Sequence, residues 1–122
     1  METEPAVNEE GLSQELASAE VKNSSDETFD MIEYYGYWEG RRPAKVLEPG
    51  QSTEFSCTGI LSAKASAVFK GRATQVEITC RISKGALGTL RGADATMSRP
   101  DVFNVYTRPN NRSTFEIKNW PE

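Results

Sequence analysis

Residues 75–82 read Gln75-Val76-Glu77-Ile78-Thr79-Cys80-Arg81-Ile82. Every second side chain, Val76, Ile78, Cys80 and Ile82, is apolar or thiol; the residues between them are polar or charged. A pleated strand points successive side chains to opposite faces, so strict period-two alternation places one face in oil and the other in water. A helix would scatter the same four residues around its circumference. The stretch predicts a half-buried antiparallel strand, and the rest of the chain must supply further strands to cover it.

Such strands recur outward from that point. Ala65 to Phe69 precedes it across Lys70-Gly71-Arg72, which predicts a hairpin with a loop longer than two residues. Ser52 to Cys57 alternates, with Thr53, Phe55 and Cys57 on one side. Before it, Glu48-Pro49-Gly50-Gln51 fits a type II turn, proline setting the first central dihedral and glycine accepting a positive second one. Thr28 to Tyr35 changes parity between Met31 and Ile32, which points to a bulge. Val21-Lys22-Asn23 begins a first strand, and Ser24 to Glu27 forms a polar turn. Asp101 to Thr107 is apolar on both faces, as a central strand would be. Ser113 to Asn119 closes the chain with Phe115 and Ile117 inward. Ser83 to Ala95, rich in glycine, reads as a surface loop or a short edge strand. Its glycines lack the spacing of a phosphate-binding fingerprint. The sum is an all-β, single-domain antiparallel sandwich of about seven strands.

The chain has 122 residues, enough for one domain. Its net charge of −4 hides an asymmetry. Residues 1–33 hold ten acids and one base; residues 34–122 hold eight acids and thirteen bases. A basic body therefore follows an acidic leader. Residues 1–20 read as a mostly disordered leader and 21–122 as the sandwich domain. Leu12, Leu16 and Ala19 sit at helical spacing behind Ser13, but bury too little to hold a helix. No apolar run is long enough to span a bilayer, and the start of the chain lacks the pattern of a signal peptide, so a cytoplasmic location is expected. Asn23-Ser24-Ser25 and Asn111-Arg112-Ser113 fit the glycosylation pattern only by chance on that expectation.

With no histidine, a Ser-His-Asp or Cys-His arrangement is excluded. Two cysteines fall short of a structural zinc site, and no cofactor or metal is expected. Cys57 and Cys80 both lie on inward parities. They are either a disulfide or two buried reduced thiols. A carboxylate-only hydrolase using residues such as Glu54, Glu77 and Asp101 has nothing to bring its acids together. The protein therefore reads as non-enzymatic.

The best candidate surface is Tyr34-Tyr35-Gly36-Tyr37-Trp38 with Arg41, Arg42 and Lys45. Tyr35, Tyr37, Trp38, Arg41 and Arg42 are the candidate ligand-binding residues. Amphipathic aromatics beside cations suit a lipid headgroup, a sugar or a stacked base. Alternatively, Tyr34 and Trp38 belong to the core and the arginines are merely solvated. Nucleic acid ranks below the other ligands, because the body's positive charge is modest and spread out.

The order Asn23-Ser24-Ser25, Tyr35-Gly36-Tyr37-Trp38, Pro49-Gly50-Gln51-Ser52 with Phe55, and Phe103-Asn104-Val105-Tyr106-Thr107 resembles the aegerolysin-type and plant jasmonate-induced-type small β-sandwich proteins, over Val21 to Phe115. The resemblance implies a sandwich without catalytic residues. On the aegerolysin side it implies recognition of membrane lipids, often with a pore-forming partner. On the plant side it implies stress or defence. The chain departs from the aegerolysin pattern in having only Trp38 and Trp120, no histidine and an acidic leader. The expected function is a binding module for a membrane-lipid headgroup or glycan. The alternative is a protein-interaction module acting through a strand edge or the leader.

Overall fold

A computed structural model describes residues 15–58, 62–85, 91–110 and 112–121. Leu12, Ser13, Leu87, Leu90 and Asn111 lie outside them. The described residues form two sheets and contain no helix. The strands are Glu15–Asn23 (β1), Phe29–Tyr37 (β2), Val46–Leu47 (β3), Ser52–Thr58 (β4), Ala63–Gly71 (β5), Glu77–Lys84 (β6), Arg91–Met97 (β7), Phe103–Arg108 (β8) and Arg112–Asn119 (β9). One sheet has the order β4-β1-β9-β8 and the other β3-β2-β5-β6-β7. The expected all-β sandwich is the observed fold. All pairs are antiparallel except β1 with β9, which run parallel side by side.

Alternation explains the core. Val76, Ile78, Cys80 and Ile82 are all buried, as are Ala63, Ala65, Ala67 and Phe69 facing the same way on β5. Val21, Phe55, Phe103, Phe115 and Ile117 answer them from the other sheet. Phe29 and Phe103 meet across the sandwich with ring centroids 5.2 Å apart. Each fully buried phenylalanine of this kind contributes roughly 2–3 kcal/mol. The bulge falls where the parity changed: the β2–β5 register shifts between Met31 and Glu33, leaving Ile32 exposed. The Pro49-Gly50 turn is also present, with Gly50 at φ 85° and the Gln51 amide donating to the Glu48 carbonyl at 3.0 Å.

Several boundaries and placements differ from the sequence reading. The leader does not extend to residue 20. β1 begins at Glu15, because residues 15–20 gain backbone partners on β4 and, from Ser18, on β9. β6 begins at Glu77, since Gln75 adopts φ 63° inside the hairpin turn. The segment 101–107 is not central: β8 is an edge strand whose second face carries the exposed Tyr106 and Arg108. β7 is an edge strand too, and with the two-residue β3 it brings the described strands to nine. The cysteines are two free, buried thiols rather than a disulfide. Cys57 is on β4 and Cys80 on β6, in different sheets.

Asn23 locks one end of the sandwich. Fully buried, it donates from its amide to the Glu27 carbonyl at 2.7 Å and the Leu47 carbonyl at 3.1 Å. Its oxygen accepts from the Ser25 backbone N–H at 3.0 Å and hydroxyl at 2.6 Å. With its nitrogen so engaged, Asn23 cannot carry a glycan in the folded protein.

Candidate functional site

The aromatic stretch sits where the chain leaves β2 and crosses to the other sheet. Past the bulge, Tyr34 points inward, whereas Tyr35 and Tyr37 point outward, 53% and 50% exposed. Trp38 is 63% exposed, so it is not a core residue. Tyr37 and Trp38 stack at 5.5 Å with their planes 20° apart.

The crossing is held to β4 like an extra strand. The Trp38 amide donates to the Thr58 carbonyl at 3.1 Å, and the Thr58 amide returns the bond at 3.0 Å. The Ser56 amide donates to the Arg41 carbonyl at 3.0 Å, and the Arg41 amide to the Ser56 hydroxyl at 2.8 Å. Tyr34 braces the segment from beneath. Its hydroxyl donates to the Ser56 carbonyl at 2.6 Å and accepts from the Gly40 amide at 3.0 Å. Burial pushes this phenol above its ordinary range. Glycine is required on both flanks of the brace. A Cβ at Gly36 would lie 2.4 Å from the Tyr34 hydroxyl, and one at Gly40 within 2.8 Å of the Ser56 carbonyl oxygen.

The five expected ligand-binding residues divide into two groups. Tyr35, Tyr37 and Trp38 are brought together, on and beside the outer face of the five-stranded sheet. Arg41 is carried to the opposite sheet, where it pairs with Glu54 at 2.6 Å. Arg42 pairs with Glu39 at 2.8 Å and lies 5.3 Å over the Tyr34 ring. Arg41 shares Glu54 with Arg112, and neither Arg41 nor Arg42 lines the groove beside Tyr35. Glu54 and Glu77 point outward from different sheets, which removes them as a carboxylate pair.

Other side chains, not singled out in the sequence, complete the aromatic surface. In register, Tyr35 lies opposite Ser66 and Tyr37 opposite Lys64 on β5. Lys64 and Ser66 in turn lie opposite Ser83 and Arg81 on β6, and these face Gly92 and Asp94 on β7. Tyr35, Lys64, Ser66, Arg81, Ser83 and Asp94 line a depression of about 280 Å³. A second hollow of about 310 Å³ adjoins it past Ser83 and Gly92. Small residues lower the floor, and a Cβ at Gly92 would approach the Ser83 hydroxyl to 2.9 Å. Arg81 is tied to Asp94 at 2.6 Å, a bond that raises its already high pKa and keeps it charged. The only sequence signal for these residues was parity on β5 and β6; their convergence depends on strand register.

A larger hollow of about 410 Å³ lies on the four-stranded sheet, between Glu20, Lys22, Tyr106, Arg108 and Glu116. Acids and bases interleave there, and one face of Tyr106 is covered by the Lys118 ammonium at 5.5 Å. It offers one half-exposed ring, Tyr106, against the three of Tyr35, Tyr37 and Trp38. Among the described residues, no group of three or more acids or cysteines is placed to hold a metal ion, and no helix is long and apolar enough to cross a membrane.

No protein-family model matches this chain, and no curated protein matches it.

Proposed function

We propose that the protein is a non-catalytic glycan-binding module whose site is the outer face of the five-stranded sheet around Tyr35, Tyr37 and Trp38. The reading rests on one observation: half-exposed Tyr35 lines a groove with Lys64, Ser66, Arg81, Ser83 and Asp94, and Tyr37, stacked with Trp38, lies opposite Lys64 in register. A sugar ring presents a face of C–H groups and an equator of hydroxyls. Aromatic faces carry negative quadrupole density that attracts the C–H groups. Hydroxyl, ammonium and carboxylate side chains then fix the equatorial hydroxyls, the usual division of labour in a ligand pocket. Exposed aromatics on a polar surface are otherwise costly to solubility, which favours a binding role for them.

A bare anionic headgroup is favoured less, since neither Arg41 nor Arg42 lines the groove. The test is binding to a broad panel of immobilised glycans alongside vesicles of matched headgroups. Glycan binding that falls at least tenfold in Tyr37→Ala and Trp38→Ala supports the reading. Binding that survives both substitutions overturns it, as does binding to vesicles without glycan.

A further inference from the structure

We infer that this groove selects glycans bearing a carboxylate, with Lys64 as the residue that reads the charge; the inference rests on the glycan reading above. The groove has two cations in its lining, Lys64 and Arg81, against one acid, Asp94. Asp94 is already engaged by Arg81. Arg81 uses one nitrogen in that pair, and a guanidinium has five N–H donors. Lys64 has no ion pair or hydrogen bond among the described residues. It borders both hollows, and Lys84 adds a further cation to the second.

The position of Lys64 matters as much as its charge. It lies directly opposite Tyr37 on the outer face and directly opposite Ser83 on its other side. Directly opposed residues hold their Cβ atoms about 4.5–5.5 Å apart. A sugar ring seated on the aromatics therefore brings its substituents within reach of the ammonium and the Ser83 hydroxyl. The next outward acid on β2, Glu33, lies beyond Tyr35, two residues or about 7 Å along the strand. Glu33 is thus set apart from Lys64, and the acid in the groove lining, Asp94, is held by Arg81. A charge-assisted hydrogen bond is roughly twice as strong as a neutral one, so the carboxylate is the substituent this site discriminates best.

The experiment uses matched pairs that differ only in charge at one position: oligogalacturonate against its methyl ester, and sialyllactose against lactose. Affinities are measured by titration calorimetry for the full chain and for Lys64→Gln. The expected result is an acidic member of at least one pair binding roughly tenfold more tightly than its neutral partner. That advantage should disappear in Lys64→Gln and shrink at about 1 M salt, where the screening length is about 3 Å. The neutral partner should lose less affinity in Lys64→Gln than the acidic one, because it loses a neutral rather than a charge-assisted hydrogen bond. Equal affinity within both pairs, or a preference that survives Lys64→Gln, overturns the inference and leaves the glycan reading standing. Absence of binding to all four ligands overturns both. A urea midpoint shared by wild type and Lys64→Gln establishes that the exposed substitution has not altered the fold.

Discussion

The hydroxyl of Tyr34 on β2 donates a 2.6 Å hydrogen bond to the carbonyl of Ser56 on β4, joining the two sheets through a side chain. The same oxygen accepts from the Gly40 amide, so one atom fixes both the spacing of the sheets at this end and the path of the chain past Trp38. Tyr34 also packs edge-on to Phe55, with centroids 6.5 Å apart. The exposed aromatics are thus mounted on a brace that is itself part of the core.

Removing that oxygen should loosen both functions. Tyr34→Phe keeps the ring but leaves the Ser56 carbonyl and the Gly40 amide without it, at a cost of about 1–3 kcal/mol. Urea unfolding should show the lower midpoint with an unchanged slope. In a Trp120→Phe background, acrylamide quenching of Trp38 should rise as its support relaxes. Unchanged stability would mean that the brace contributes nothing.

Asn23 should tolerate no replacement. Asn23→Ala strands two carbonyl acceptors and two Ser25 donors in a buried site, and should cost at least about 3 kcal/mol. Asn23→Asp should be no better at neutral pH, because a carboxylate cannot donate to the Glu27 and Leu47 carbonyls. Chemical denaturation of the two variants compares them directly. An Asp variant as stable as wild type would show that the two donated bonds are dispensable.

A surface pair gives an acid-side signature. The hydrogen bond from Arg72, reinforced by its charge, holds the Asp30 carboxyl below the ordinary value of 3.8, against a smaller opposing effect of desolvation. A depressed folded-state pKa stabilises the fold above the unfolded value and ceases to do so as pH falls through the folded value. The stability difference between wild type and Arg72→Gln should therefore be full near neutral pH. It should shrink below about pH 4 and vanish once Asp30 is protonated. Both groups are exposed, so added salt should reduce the difference throughout. Urea midpoints collected across that range provide the check, and a pH-independent difference would exclude Asp30 as its source.

Cys80 gives the opposite, alkaline signature. Burial, with a smaller effect from Asp94, pushes its thiol far above the ordinary value of 9.0. A raised folded-state pKa favours the fold below the unfolded value, and the benefit is lost progressively as pH climbs from there toward the folded value. Wild type should lose up to about 1.4 kcal/mol per pH unit from this one group above pH 9, and Cys80→Ala should lack that component. In the native state both buried thiols should resist a thiol reagent at about pH 8, and both should react in urea. Fast labelling of either thiol without denaturant would contradict the buried placement.

How much of this was legible in the sequence differs from residue to residue. The inward set of β6, the bulge beside Ile32 and the positive φ of Gly50 were each readable, because each is a property of neighbouring residues. β7 was harder to see. Its Arg91-Gly92-Ala93-Asp94-Ala95-Thr96-Met97 has weak strand propensity, and it is held by its ladder to β6. The central placement expected of 101–107 failed for a related reason: the strand pairs only with β9, and Tyr106 on its second face stays exposed. Among the candidate ligand residues, the exposure of Tyr35, Tyr37 and Trp38 was left open by the sequence, because the shift between Met31 and Glu33 resets which parity faces outward. The removal of Arg41 to the other sheet was not legible either, since it depends on where Glu54 lies.

Taken alone, the order of amino acids determined that the body is built from strands, which side chains of β4, β6 and β9 face inward, and where two of the turns bend. These follow from the two-residue period of the pleat and the dihedral limits of proline and glycine, which act over a few residues. Tertiary structure decided which strands are neighbours, that the two thiols stay apart, and that Lys64, Ser66, Arg81 and Ser83 meet Tyr35 and Tyr37 on one face. Those outcomes depend on register between strands distant along the chain, and register is settled only when all the apolar faces are buried together.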